Sequence, residues 1–572
     1  MTTKTASTRP SMLRSNDSVQ LAQEKQDIGK IPVTPAFGLE NKGAHANVCR
    51  VTDYFGAART QHGSVISATF TVPHVLHNKG KYEWHTTIAW TGEISQSEND
   101  AEGVSIAPSS TTIAPDGHSR RNEDAHSDKV VFISSDAQKR LEMKLYQRND
   151  RIIPVWLYEE AERREDGIEL RDQSKWREYA EHDLYPLFHY KQRDPSDGGV
   201  ERQRWEAYYK VNAAFADKIC KNYKPGDVVL VHDYYLMLLP KMIRQQLPDV
   251  RIAFILQTPF PTSELIRCLD RRQELLEGIL GADVVVFQAH IYAEHFANSC
   301  ARSLKVVATG EKVCQDGRHV QLADIPTGIN IQYILERAFS PTVEKRCQEL
   351  SKAFAGKKII LGRDPMNSLS GLDKKLHAFE RFLHDWPEWR EKAVLLQMTN
   401  SATLAVGGKE EAEFSADINV FVSSINSRYG SLSHIPVHLV PLSPTQDEYF
   451  ALLRQSDLAL VTSVREGIST TALEYTICQR ERHGKLILSE FSGTASAIDK
   501  AVVVNPWDTS AVAHEIQAAL TVSGKQRELY HSALFRQIQE MSVERWASKL
   551  FDRIEATAND ASEPDEPLEL RG

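Results

Sequence analysis

Gly226-Asp227-Val228-Val229-Leu230-Val231-His232-Asp233-Tyr234-Tyr235-Leu236 and Arg251-Ile252-Ala253-Phe254-Ile255-Leu256-Gln257-Thr258-Pro259-Phe260-Pro261-Thr262-Ser263-Glu264 decide the fold of this 572-residue chain. Each opens with a short apolar run bounded by turn residues, the pattern of a strand buried on both faces of a parallel sheet. Each ends in polar residues and prolines, where a strand stops. Met237 to Gln246 reads as a helix between them, which makes a strand–helix–strand crossover. Ligands of open α/β sheets lie beyond the carboxyl ends of the strands. The residues that close these two runs, Asp233 and Gln257 among them, are therefore the first places to look for chemistry.

Working outward, the same alternation continues on both sides. Val65–Val72 and Trp84–Ile94 read as strands, as do Val130–Ile133 and Arg151–Val155, with a helix over 137–145. A long helix over 205–223 leads into the central pair, and Val284–Phe287 with a helix over 291–303 follows. The pattern pauses near Ile325-Pro326-Thr327-Gly328-Ile329, and a second series begins. Its strands are Lys358–Leu361, Ala393–Gln397, Leu458–Val461, Leu486–Leu488 and Val502–Val504, separated by helices. Two successive β-α series predict two doubly wound, Rossmann-like domains facing a cleft, one over 48–333 and one over 334–540. Residues 1–47 lack any hydrophobic period and read as a tail. Residues 95–128, rich in Ser, Asp, Glu, Pro and Gly, read as a flexible insertion, and 559–572 as an acidic tail.

Composition narrows the class. The chain is 41% hydrophobic and 25% charged, enough to bury sizeable cores. A net charge of −9 gives no general attraction to nucleic acid or anionic membranes. No apolar run approaches the ~20 residues of a membrane span, and the first residues lack the apolar core of a secretory signal. Seven dispersed cysteines without a C-x-x-C pair favour free thiols, with core packing expected for Cys220, Cys268 and Cys478. A cytoplasmic location is expected. No dinucleotide loop and no phosphate loop is present.

The two opening stretches, with Arg272-Gln273-Glu274-Leu275-Leu276-Glu277-Gly278 after them, resemble the "HDYHL" and "HTPFPSSE" segments of trehalose-6-phosphate synthases, which transfer glucose from UDP-glucose to glucose 6-phosphate. Asn426-Ser427-Arg428-Tyr429-Gly430, Leu488-Ser489-Glu490-Phe491-Ser492-Gly493 and Val504-Asn505-Pro506-Trp507-Asp508 continue the resemblance, which covers about 130–555 and, more weakly, 48–95. It implies the GT-B arrangement, with a last helix over 541–558 crossing back to the first domain. It implies no cofactor and no metal, with UDP-glucose a substrate only if the chain is active. The phosphatase segment that larger relatives carry is not recognisable, so hydrolysis of trehalose 6-phosphate is not expected.

The departures from the family pattern carry the functional expectation. Departure of UDP demands cationic side chains against the diphosphate, and Arg and Lys suit that task. The family supplies both in one loop of the form G-x-D-R-x-D-Y-x-K-G. Here the loop is Gly362-Arg363-Asp364-Pro365-Met366-Asn367-Ser368-Leu369-Ser370-Gly371, with Pro365 at the arginine position and Ser370 at the lysine position. Thr71 and Ala402 stand where the family has further arginines, and Gln257 where it has histidine. Each lost charge-assisted contact costs about 1.5–3 kcal/mol. Arg363 or Lys374 is the alternative source of charge. The resemblance assigns Trp90, Tyr185 and Asp233 to what remains of the acceptor pocket, although Asp233 equally fits a helix cap and the aromatics fit core packing. It assigns Glu474, Glu466 and Gly467 to the donor pocket.

A synthase-like scaffold with its cationic machinery replaced implies a non-catalytic regulatory or structural subunit of a trehalose-6-phosphate synthase/phosphatase complex. Active synthase and trehalose-phosphatase subunits are its expected partners. The alternatives are an active UDP-forming synthase and a sugar-phosphate-sensing module.

Overall fold

The computed structural model of the chain describes residues 64–70, 85–90, 131–147, 152–192, 198–399, 408–441 and 444–560. The tail over 1–47, the insertion over 95–128 and residues 561–572 lie outside them.

The apolar runs of the first half form strands β1 (Val65–Thr69), β2 (His85–Trp90), β4 (Ile152–Val155), β6 (Val228–His232), β7 (Arg251–Ile255) and β8 (Val284–Phe287), with β3 (Val131–Ser134) and β5 (Gly167–Leu170) set apart. A ribbon of β9 (Val307–Ala308), β10 (Lys312–Gln315) and β11 (Arg318–Asp324) follows. The main sheet has the order β4-β2-β1-β6-β7-β8-β11-β10-β9. It is parallel from β4 to β11 and antiparallel through the ribbon. Alternate residues of β6 serve opposite faces, as the period of two requires. Val229 and Val231 enter one core, whereas Val228 and Leu230 enter another.

The second half contributes β12 (Lys358–Arg363), β13 (Ala393–Thr399), β14 (Val437–Pro441), β15 (Leu458–Val461), β16 (Lys485–Ser489) and β17 (Val502–Val504), in the order β14-β13-β12-β15-β16-β17. Every pairing is parallel. Strand order reverses between β1 and β6 in one sheet and between β12 and β15 in the other. Crevices open at such points, so each domain offers its switch point as a binding edge.

The last helix, Val543–Asp560, belongs in space to the first sheet. Trp546, Ala547, Leu550, Phe551 and Ile554 pack against Val228, Leu230, Ala253, Ile255, Val284 and Val286. Each large side chain buried this way contributes about 1.5–3 kcal/mol. The chain leaves and re-enters the first domain at one seam: the Ile329 N–H donates to the Met541 carbonyl at 2.9 Å, and the Val543 N–H to the Ile329 carbonyl at 3.1 Å.

Some expectations need correction. β3 does not join the main sheet but pairs antiparallel with β5 in a two-stranded ribbon. The edge hairpin β10–β11 turns at Asp316-Gly317, both with positive φ (51° and 77°), as a two-residue hairpin favours. Cys268 is exposed rather than packed in the core; Cys478 is buried, and Cys220 is partly so. The six described cysteines are free.

Candidate functional site

The first domain brings His232 and Asp233 to the cleft from the end of β6, and Gln257 and Thr258 from just beyond β7. Asp233 has φ 66° and makes no cap hydrogen bond to the short helical turn after it, so the cap alternative is not realised. Its Oδ1 has no hydrogen-bond partner. Burial pushes its carboxyl up to about 6, and the backbone N–H groups of Tyr234, Gln257 and Thr258 only partly oppose that. Burial pushes the neighbouring His232 imidazole down to about 4. Tyr185 lies against His189 and Tyr234, with ring centroids 4.1 and 5.8 Å away. Its phenol is pushed up by burial and then by the carboxylates of Glu466 and Asp233. Trp90 ends β2, and its side chain, like Thr71 and Ala402, lies outside the described residues.

From the second domain, β12 runs into the loop Gly362–Gly371. Pro365 is exposed and presents neither charge nor a backbone N–H. Ser370 is turned into the loop instead: its hydroxyl donates to the Asn367 carbonyl at 2.8 Å, and its N–H to Asn367 Oδ1 at 2.9 Å. Gly371 follows with φ 75°, in space where a Cβ would overlap the Thr462 carbonyl, which accounts for the retained glycine. Beneath the loop, Lys375 is fully buried and ion-paired with Asp364, whose carboxylate also accepts from Gln397 Nε2 at 2.8 Å.

The two substitute cations are both engaged. Arg363 donates to Thr471 Oγ1 at 3.2 Å, and its guanidinium lies 5.2 Å from the Tyr449 ring centroid. Lys374 pairs with Asp373 at 2.7 Å and lies 4.2 Å from the Trp507 ring centroid. Arg363 thus reaches the N-terminal end of the helix Thr470–Cys478, where backbone donors favour an anion.

That helix buries Glu474, whose carboxyl burial pushes up and Arg363 pulls down. The Tyr449 hydroxyl hydrogen-bonds to the Glu474 carboxylate. Tyr449 is held there by the helix Gln446–Gln455, which starts on a Thr445/Glu448 capping box. No sequence motif marked Tyr449, because its role depends on a contact between two helices. Glu466 accepts from Ser463 Oγ at 2.7 Å; its carboxyl is raised by burial, and Asp364 nearby adds to the rise. Gly467 faces the Gln257 carbonyl of the other domain, at a distance where any Cβ would overlap it.

The structure therefore gathers Tyr185, Asp233, Gln257, Glu466 and Gly467 along the cleft and buries Glu474 against Tyr449. Among the described residues no group of three or more His, Cys, Asp or Glu is arranged to hold a metal ion. No described helix is long and apolar enough to cross a membrane.

Residues 76–556 match glycosyltransferase family 20. The chain is 35% identical over 494 residues to a trehalose-phosphatase of Schizosaccharomyces pombe, covering 84% of this chain and 57% of that protein. It is 36% identical over 385 residues to the 56 kDa subunit of UDP-forming alpha,alpha-trehalose-phosphate synthase of Saccharomyces cerevisiae, covering 66% of this chain and 77% of the subunit. The N-terminal domain of Candida albicans trehalose-6-phosphate phosphatase superposes with a TM-score of 0.74 at 35% identity, covering 88% of this chain and 98% of that domain. The chain spans little more than half the length of the trehalose-phosphatases it matches. A two-sheet GT-B architecture, a cleft at both switch points and a family match across most of its length together place this chain in glycosyltransferase family 20, with the trehalose-phosphate synthases.

Proposed function

We propose that the chain acts in trehalose biosynthesis as a non-catalytic, synthase-like subunit, regulatory or structural, of a trehalose-6-phosphate synthase/phosphatase complex. The observation that carries this is the loop Gly362–Gly371. Pro365 brings no cation to the cleft, and the Ser370 side chain is spent inside the loop on Asn367. Without two charge-assisted contacts to a departing diphosphate, transfer loses several powers of ten in rate. Support for partners comes from the relatives, among them a synthase subunit and trehalose-phosphatases. Radiolabelled UDP-glucose and glucose 6-phosphate, incubated with the isolated chain beside an intact synthase, test the first half. No trehalose 6-phosphate is expected, and transfer near the intact rate would overturn the proposal. Native purification tests the second: an active synthase or phosphatase subunit is expected to accompany the chain, and its absence with unchanged trehalose on deletion would favour a sensor.

A second possibility rests on Arg363, which holds a guanidinium at the start of the helix Thr470–Cys478. If that cation takes over for Pro365, the chain is a UDP-glucose-dependent retaining glucosyltransferase, and the same assay reports it.

A further inference from the structure

The cleft is crossed by bridges made wholly of the chain's own groups. Tyr190, on the first domain, has φ 65°, a region that residues with a side chain seldom adopt. This turns its ring onto Arg465 of the second domain, whose guanidinium lies 4.5 Å from the Tyr190 centroid and 4.0 Å from that of Phe491. One cation is thus held between a ring from each domain. The next residue, Lys191, donates Nζ–H to Ser368 Oγ at 2.9 Å, inside the loop Gly362–Gly371. The Tyr292 hydroxyl donates to the Glu466 carbonyl at 3.1 Å, next to the point where Gly467 meets Gln257.

We propose that Tyr190, Lys191 and Arg465 form a latch that holds the two domains closed on each other in the resting protein. A ligand closes a two-domain cleft only through its preference for the closed state. Here side chains already supply that preference, so closure is intrinsic and the outer surface of the molecule keeps one shape. A charge-assisted hydrogen bond favours the bridged state by on the order of tenfold, and a cation between two rings adds a further few-fold. The latch stands apart from the question of transfer, since neither bridge uses a substrate.

Hydrogen–deuterium exchange on the full chain, without nucleotide, tests it. The variant carries Tyr190→Ala and Lys191→Ala on one domain, and the amides read are those of 366–371 and 464–468 on the other. They are expected to exchange at least about tenfold faster than in the parent, while β12, β13, β6 and β7 keep their rates. Lys191→Arg is expected to retain protection. Unchanged exchange across the cleft would overturn the latch, and so would a rise spread evenly over both sheets. If the double variant does not fold, Ser368→Ala removes the lysine bridge alone. Unchanged exchange at 186–192 in that variant would likewise overturn it.

Discussion

Replacing Lys375 by methionine removes the cation that faces Asp364 beneath the cleft loop. Both side chains are buried, at 0% and 5% exposure, and Gln397 supplies the carboxylate with one further donor. Breaking one side of such a pair typically costs about 3–5 kcal/mol, because the remaining charge stays buried. Protonation limits the cost. Neutralising an ordinary carboxylate at pH 7 takes about 4 kcal/mol, and at pH 5 only about 1.5. Lys375→Met should therefore destabilise the second domain by about 3–4 kcal/mol at pH 7 and by about half that or less at pH 5. For a domain of about 200 residues this lowers Tm by roughly 6–16 °C at pH 7. Adding Asp364→Leu should recover part of the loss, since an apolar pair in place of a buried ion pair is often neutral or stabilising. Denaturant titrations followed by far-UV circular dichroism at the two pH values measure both effects. A loss under 1 kcal/mol at pH 7, or one that grows on acidification, would refute the reasoning.

Three further outcomes are expected. Asp233 carries a carboxyl raised from 3.8 to about 6. The folded state thus holds the proton more tightly than the unfolded chain, and stability falls as pH rises from about 4 through 6. Asp233→Asn should remove that fall, matching the parent near pH 4 and exceeding it by about 2 kcal/mol at pH 7–8, after allowance for the cleft's partial exposure to solvent; urea titrations across this range check it. Pro365→Arg, at an exposed position, should fold normally and raise UDP affinity about tenfold or more by calorimetry, whereas Ser370→Lys must break the turn to Asn367 and should cost about 1–2 kcal/mol of stability. Gly467→Ala pushes a methyl group into the Gln257 carbonyl and should destabilise by about 1–3 kcal/mol in thermal unfolding, with no comparable loss for Gly524→Ala, where nothing lies within 4 Å.

The doubly wound plan was legible because β6, β7, β8, β15 and β16 are uninterrupted apolar runs, each bounded by turn residues. Weaker strands were not. β5 contains only Ile168 and Leu170 as apolar residues, and β14 follows Pro436 and ends on Pro441, so neither shows a clear strand pattern. β10 and β11 carry a readable signal in Asp316-Gly317 between short alternations. Sequence could show the replaced side chains at 365 and 370 because the glycines around them keep the frame. It could not show that Ser370 turns inward, that Tyr449 reaches Glu474, or that Lys191 meets Ser368. The first depends on the conformation of the loop, and the other two join residues 25 and 177 positions apart that only packing brings together.

The returning helix has a consequence for how the protein is made. Val228, Leu230, Ala253, Ile255, Val284 and Val286 form one face of the first sheet, and that face is covered by residues 546–554. During synthesis the strands emerge about 270 residues before their cover, a delay of roughly fifteen to fifty seconds at ordinary elongation rates. Throughout that interval a strip of aliphatic side chains on a parallel sheet has no native partner. The first domain is thus begun first and finished last, and a ribosome stalled between the two sheets would hold an open, association-prone intermediate. Chaperone demand for this chain should track the distance between Val286 and Trp546 more closely than it tracks the stability of the finished fold.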